Sequence, residues 1–119
     1  MFTDQELPPN VHINAVGAYT PETAEIPAAT VCRSYVVVDQ VAAALEDAGD
    51  LLQPLKQNLI KPSHFQIVLG DVVTGRSPAR KHAADITLFK SVGVAIQDLC
   101  AGAFALNSAR QQGLGVPLQ

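Results

Sequence analysis

A chain of 119 residues with net charge −3, 48% hydrophobic and 16% charged side chains is sized and composed for one globular domain with a real core. Eight Lys and Arg against eleven Asp and Glu argue against a nucleic-acid surface, and no apolar run is long enough for a membrane span. Cys32 and Cys100 stand far apart without a C-x-x-C and read as reduced, buried thiols of a cytoplasmic protein; three scattered histidines have no metal-ligand spacing.

Residues 1–10 form a polar, Pro-broken lead-in whose acidic start is unlike a signal peptide. Residues 11–18 read as a strand, with Val11, Ile13 and Ala15 on one face and His12, Asn14 and Val16 on the other. Asn14 is expected to be a buried amide satisfied by neighbouring backbone. Gly17 is either a tight strand exit or a point where a ligand approaches the backbone closely. Thr20-Pro21-Glu22 predicts a helix start, with Thr as cap and Pro at the first helical position. Pro27 ends that helix and permits a second one to about Arg33.

Tyr35-Val-Val-Val38 is an uninterrupted apolar run, the mark of an interior parallel strand, with Asp39 at its end. Residues 40–48 predict a helix stopped at Gly49, and Asp50 starts a short turn to Leu52 before Pro54. A loop over 58–63, a short strand over 65–68 and a short helix over 69–74 follow, the helix closed by Gly75. Residues 76–82 are a basic loop containing Arg76, Arg80, Lys81 and His82, which reads as a phosphate contact, a solvated loop or a partner contact. His64 and His82, both in loops, are acid/base candidates or plain surface histidines.

Residues 86–89 are a β-favouring apolar run, and Ser91-Val92-Gly93 turns the chain. From 94 to 112 the spacing is helical, with Val92, Ile96, Leu99, Ala103 and Leu106 on one face. Val94, Ala95, Cys100, Ala101, Phe104 and Ala105 widen that face until the first turns read as buried nearly all round. The rest of the chain is therefore expected to pack around this strand–helix unit. Gly113, Gly115 and Pro117 stop the helix, and Arg110 suits the negative end of its dipole. Strands alternating with helices predict an α/β fold, a mainly parallel sheet flanked by helices. At the junction of the last strand and helix, free N–H groups and a positive dipole end favour a cofactor. Ser91 there is a helix N-cap, a ligand contact, or both.

Ile86-Thr-Leu-Phe-Lys-Ser-Val-Gly93 and the helix after it, with Gln97-Asp98-Leu99, resemble the ornithine cyclodeaminase/μ-crystallin family. His12-Ile-Asn-Ala-Val-Gly-Ala18 with Thr20-Pro21, Val36-Val-Val-Asp39, Glu46-Asp-Ala-Gly-Asp-Leu-Leu52 and Leu69-Gly-Asp-Val-Val-Thr-Gly-Arg76 resemble it too, in the family's order. The family uses NAD or NADP; its members are cyclodeaminases, ketimine reductases and alanine dehydrogenases. The resemblance implies a partial Rossmann-like domain over 1–119, the C-terminal part of an NAD(P)-binding domain, truncated or split from a longer protein. Met1-Phe-Thr-Asp4 then falls inside a family strand.

By the same resemblance, Val16, Gly17, Ala18 and Tyr19 lie along the nicotinamide half of the cofactor, Ser91 contacts the cofactor and Val92 lies near the substrate. Thr23 stands where cyclodeaminases carry a cofactor-contacting lysine. Tyr19 stands where they carry the proton-transferring aspartate. A phenol of ordinary pKa, about 10, is a poor base at neutral pH, so the lean is towards a reductase. The lead into the last strand is Lys81-His-Ala-Ala-Asp85 instead of the family's polar pattern, and no G-x-G-x-x-G occurs. The resemblance thus implies a chain that is not catalytic alone. It is expected to be either one subunit of a split NAD(P)-dependent imine reductase or cyclodeaminase, completed by a separately encoded N-terminal half, or a self-associating module. An open sheet edge and an apolar helix face predict a homodimer or higher oligomer.

Overall fold

A computed structural model describes residues 2–116 of the chain. Strands β1 (His12–Ala15), β2 (Tyr35–Val38), β3 (Ile67–Val68) and β4 (Thr87–Lys90) form one wholly parallel sheet in the order β1-β4-β2-β3. The last strand in sequence thus lies between the first two. Register aligns Ile13, Leu88 and Val36 in one row and Ala15, Lys90 and Val38 in the next. Because side chains alternate along a strand, both rows face the same side.

That side holds the core. Helices α1 (Ala28–Arg33), α2 (Val41–Asp47) and α3 (Gly49–Lys56) bring Val31, Ala44 and Leu51 against Ala15, Val36, Val38 and Leu88, with Phe65 fully buried beside them. The apolar run of β2 is buried because β4 and β3 flank it. Helix α4 (Leu69–Val73) lies on the opposite side, where Leu69 and Val72 face Val37 and Phe89 across a cleft. The loop after it is tied to this side: Tyr35 Oη donates to the Pro78 carbonyl, and the Lys81 ammonium lies 5.2 Å from the centre of the Tyr35 ring.

Several expected elements are corrected. Residues 20–23 make one turn, closed by Thr23 N donating to the Thr20 carbonyl, and no helix starts there. The chain cannot continue helically because the Asp50 carboxylate takes the amides of Glu25 and Ile26. Gly49 begins α3 instead of stopping α2, since α2 already ends at Asp47. A Cβ at Gly49 would overlap the Thr23 carbonyl oxygen and lie 2.5 Å from that of Thr20. α3 runs through Pro54 to Lys56, because its buried Leu51 and Leu52 outweigh one lost backbone bond. Asp4–Glu6 is a 3-10 turn, not strand; Thr30 and Arg33 of α1 both donate to Asp4 Oδ1 at 2.7 Å.

Helix α5 (Ala95–Gln112) ends on Gly113 as expected, but its burial is the largest correction. None of its residues is buried; Ile96, Leu99, Phe104 and Leu106 are 52–76% exposed, and Cys100 is exposed as well. The core is filled by α1 to α3, so the protein packs around β4 and β2 and not around α5. The helical periodicity reported a face able to bury itself, without the surface that would cover it. Pro117 lies outside the described residues.

Candidate functional site

All four strands end on the same edge, and two loops meet there. Ser91 N donates to the Ala15 carbonyl at 3.0 Å, continuing the β1–β4 ladder, so the loop leaving β1 stands beside the turn leaving β4. Asp39, just past β2, anchors that turn. Its Oδ2 accepts from the Ser91 hydroxyl at 2.7 Å, Gly93 N at 3.0 Å and Val92 N at 3.1 Å, while Oδ1 accepts from Gln40 N. Ser91 is therefore not an N-cap: α5 starts at Ala95, two residues beyond the turn, with Val94 at the cap position. With its proton given to Asp39, the Ser91 oxygen is left to accept, and Gly93 N lies 3.2 Å from it.

Beneath the loop 16–19 is a buried charge cluster. Lys90, fully buried, reaches the Ala18 carbonyl at 2.5 Å and pairs with Asp50 Oδ2 at 2.9 Å and Glu25 Oε1 at 3.5 Å. Glu25 Oε1 in turn accepts from Gly17 N at 2.8 Å and Ala18 N at 3.4 Å. A Cβ at Gly17 would lie 2.6 Å from Glu25 Oε2, so the group that comes closest to the backbone here is the protein's own carboxylate. Ala18 is buried, whereas Val16 and Tyr19 stand 64% and 67% exposed on either side of it.

The sequence matches the ornithine cyclodeaminase/mu-crystallin family over residues 1–113. The chain belongs to that family. It is 36% identical over 110 residues to a Delta(1)-pyrroline-2-carboxylate reductase of Bacillus cereus, covering 92% of this chain and 34% of the relative. It is 35% identical over 100 residues to the mouse ketimine reductase mu-crystallin, covering 84% of this chain and 29% of the relative. The structure of the Thermococcus litoralis Delta(1)-pyrroline-2-carboxylate reductase in complex with NADH and L-proline superposes with a TM-score of 0.86 at 34% identity, over 94% of this chain and 35% of that one. The fold is thus Rossmann-like, and the chain spans about a third of the length of these relatives.

Other residues singled out by the family likeness are less gathered. Thr23 turns its hydroxyl back onto the Thr20 carbonyl and hydroxyl. Val92 packs its half-buried side chain against the core. Asn14 is exposed, not buried, and accepts from or lies against His12 Nε2 at 3.1 Å instead of the backbone. His64 is pinned to the Val31 carbonyl at 2.8 Å, away from the loop edge. In the basic loop, Arg76 pairs with Asp71, and Arg80 donates to the Asn10 and Asp85 carbonyls. Both arginines are thereby spent within the chain. A cleft of about 490 Å³ opens on the sheet's other side, lined by His12, Asn14, Leu69, Arg80 and Phe89 among others; no residue expected at the cofactor lines it.

Sequence reasoning missed the four charged residues that organise the family's loop edge here. Asp39 and Lys90 were legible as charges closing apolar strands, a pattern that calls for a buried or edge partner. Glu25 and Asp50 carried no such local signal, because their contacts cross 65 and 40 positions of chain to Lys90.

Proposed function

We propose that this chain carries the nicotinamide-side half of an NAD(P) site, as the C-terminal part of a Rossmann-like domain over 1–119, and is not catalytic by itself. One observation carries the reading: the loops 16–19 and 91–93 stand side by side at the C-terminal ends of adjacent parallel strands, where α/β proteins bind nucleotides. The residues that would hold the cofactor are Val16, Gly17, Ala18, Tyr19, Thr23 and Ser91, with Val92 nearer the substrate. Exposed Val16 and Tyr19 fit the flat face of a pyridine ring. The Ser91 oxygen, its proton committed to Asp39, fits the amide N–H of a carboxamide. The sequence holds no glycine-rich turn fitted to a diphosphate.

A nicotinamide ring, when bound, supplies hydride exchange with a C=N carbon. Tyr19 offers a hydroxyl donor instead of a carboxylate base, which favours imine reduction over cyclodeamination, in line with the reductase names of the relatives. A glycine-rich βαβ unit on a separate chain would complete the site as a split enzyme. The free thiols of Cys32 and Cys100 suit a cytoplasmic setting, and no helix among the described residues is long and apolar enough to cross a membrane. Calorimetry of the full chain with NADH and NADPH tests the reading. Absence of micromolar binding, with nicotinamide mononucleotide still shifting the NMR signals of residues 16–19 and 91, is the expected result; micromolar binding of a whole dinucleotide overturns the incomplete site.

A second reading rests on α5, whose large apolar residues Ile96, Leu99, Phe104 and Leu106 are all exposed. In it the chain is a self-associating module, a homodimer or higher oligomer, that covers these helices on each other.

A further inference from the structure

Lys90 occupies a position that the alternation of β4 reserves for an apolar side chain. It lies in register with Ala15 and Val38 on the core side, and it is fully buried. Core packing alone does not require a charge there, since a buried ion pair is commonly replaced by apolar residues of similar volume without loss of stability. What the ammonium does that a methionine cannot is reach three oxygens: it donates to the Ala18 carbonyl and pairs by charge with Asp50 Oδ2 and Glu25 Oε1. Two of these belong to the segment 16–25, which has neither helix nor strand to hold it. The third belongs to Asp50, whose other oxygen takes the amides of Glu25 and Ile26 at 2.7 and 2.8 Å. Glu25 then closes the circuit on the amides of Gly17 and Ala18. The segment is fixed by charge from below at both of its ends.

We infer that Lys90 is a positioning residue: through Asp50 and Glu25 it locks the loop leaving β1 so that Val16 and Tyr19 project together from the strand ends. The inference rests on the reading of 16–19 as a ligand-facing surface, and it adds the device that keeps that surface preformed. The lock explains why Gly17 faces a carboxylate and why the loop needs no regular structure of its own.

The test uses ¹⁵N-labelled full chain, read by amide exchange and by titration with nicotinamide mononucleotide. In Lys90→Met/Asp50→Asn, which leaves no unpaired buried carboxylate at Asp50, exchange at Gly17 and Ala18 is expected to rise by about tenfold or more, with the amides of Val36 and Leu88 still protected. Glu25→Gln, at a partly exposed position, is expected to give a smaller rise at the same two amides and decides the matter if the double variant does not fold. Val31→Ala, a core truncation that touches none of the charged groups of the cluster, is the control for a merely structural role: it lowers the melting temperature without singling out Gly17 and Ala18. Unchanged loop exchange in a folded variant, or an equal response to Val31→Ala, overturns the inference. Failure of the mononucleotide to shift any residue of the unmodified chain sinks the ligand-facing reading instead, and exchange alone then judges the lock.

Discussion

The Asp39 carboxylate and the Ser91 hydroxyl, 2.7 Å apart, tie the end of β2 to the turn that leaves β4. The same oxygen also gathers the amides of Val92 and Gly93, so one side chain sets the whole turn. Asp39→Ala should cost about 1.5–3 kcal/mol, the usual worth of hydrogen bonds to a charged acceptor. Urea denaturation measures it. The amide signals of Val92 and Gly93 should move most, and a change confined to other residues counts against this role.

Gly49 marks where α3 passes over the 20–23 turn. Gly49→Ala forces a methyl group onto three carbonyl oxygens, those of Thr20, Pro21 and Thr23, none of which belongs to a flexible side chain. A loss of about 3 kcal/mol is expected from such overpacking. A denaturation midpoint matching that of the unmodified chain refutes it.

Lys90→Met alone strands the Asp50 carboxylate in the core. Removing one partner of a buried pair costs about 3–5 kcal/mol. Adding Asp50→Asn should restore part of that loss, because the amide oxygen can still accept from Glu25 and Ile26. A double variant less stable than the single one contradicts the pairing.

The Arg33 guanidinium, bonded to Asp4, holds that carboxyl below its usual range, with the Thr30 hydroxyl adding to the effect. A carboxyl whose folded pKa is depressed stabilises the fold above its unfolded pKa of about 3.9 and loses that contribution as pH falls through the folded value. Acid unfolding followed between pH 5 and 2 should therefore be shallower in Asp4→Asn than in the unmodified chain. Identical slopes dismiss the link.

Self-association through α5 is expected to give a dimer or larger species at micromolar concentration in light scattering. Phe104 is 76% exposed, and Phe104→Glu should shift the chain towards monomer. A monomer before any substitution removes this reading.

Local pattern carried most of the fold. The valine run of β2 and the boundaries of α5 follow from sequence because each is set by propensity and periodicity within a few residues. What crosses long stretches of chain was not legible. Thr20-Pro21-Glu22 has every mark of a helix start, and the Asp50 carboxylate, from a distant helix, takes the amides a helix would have used. α5 reads as core for the opposite reason: a periodic apolar face states a capacity for burial, and only tertiary structure says whether anything meets it. At the proposed site, family likeness named the loops 16–19 and 91–93, which the fold sets side by side, whereas the charges that brace them are joined only in space.

Placing β4 between β1 and β2 has a consequence for how the protein is made. The first strand touches nothing in the sheet, and β2 only the two residues of β3, until residues 87–90 arrive to fill the gap, about 75 positions after β1 in the chain. Closing so long a loop is slow, and a nascent chain stopped near residue 85 would emerge with β1 unpaired and the β4-facing edge of β2 open. Such an intermediate is a natural client for chaperones, and the wedge that completes the sheet delivers the Lys90 cation to its waiting carboxylates in the same step.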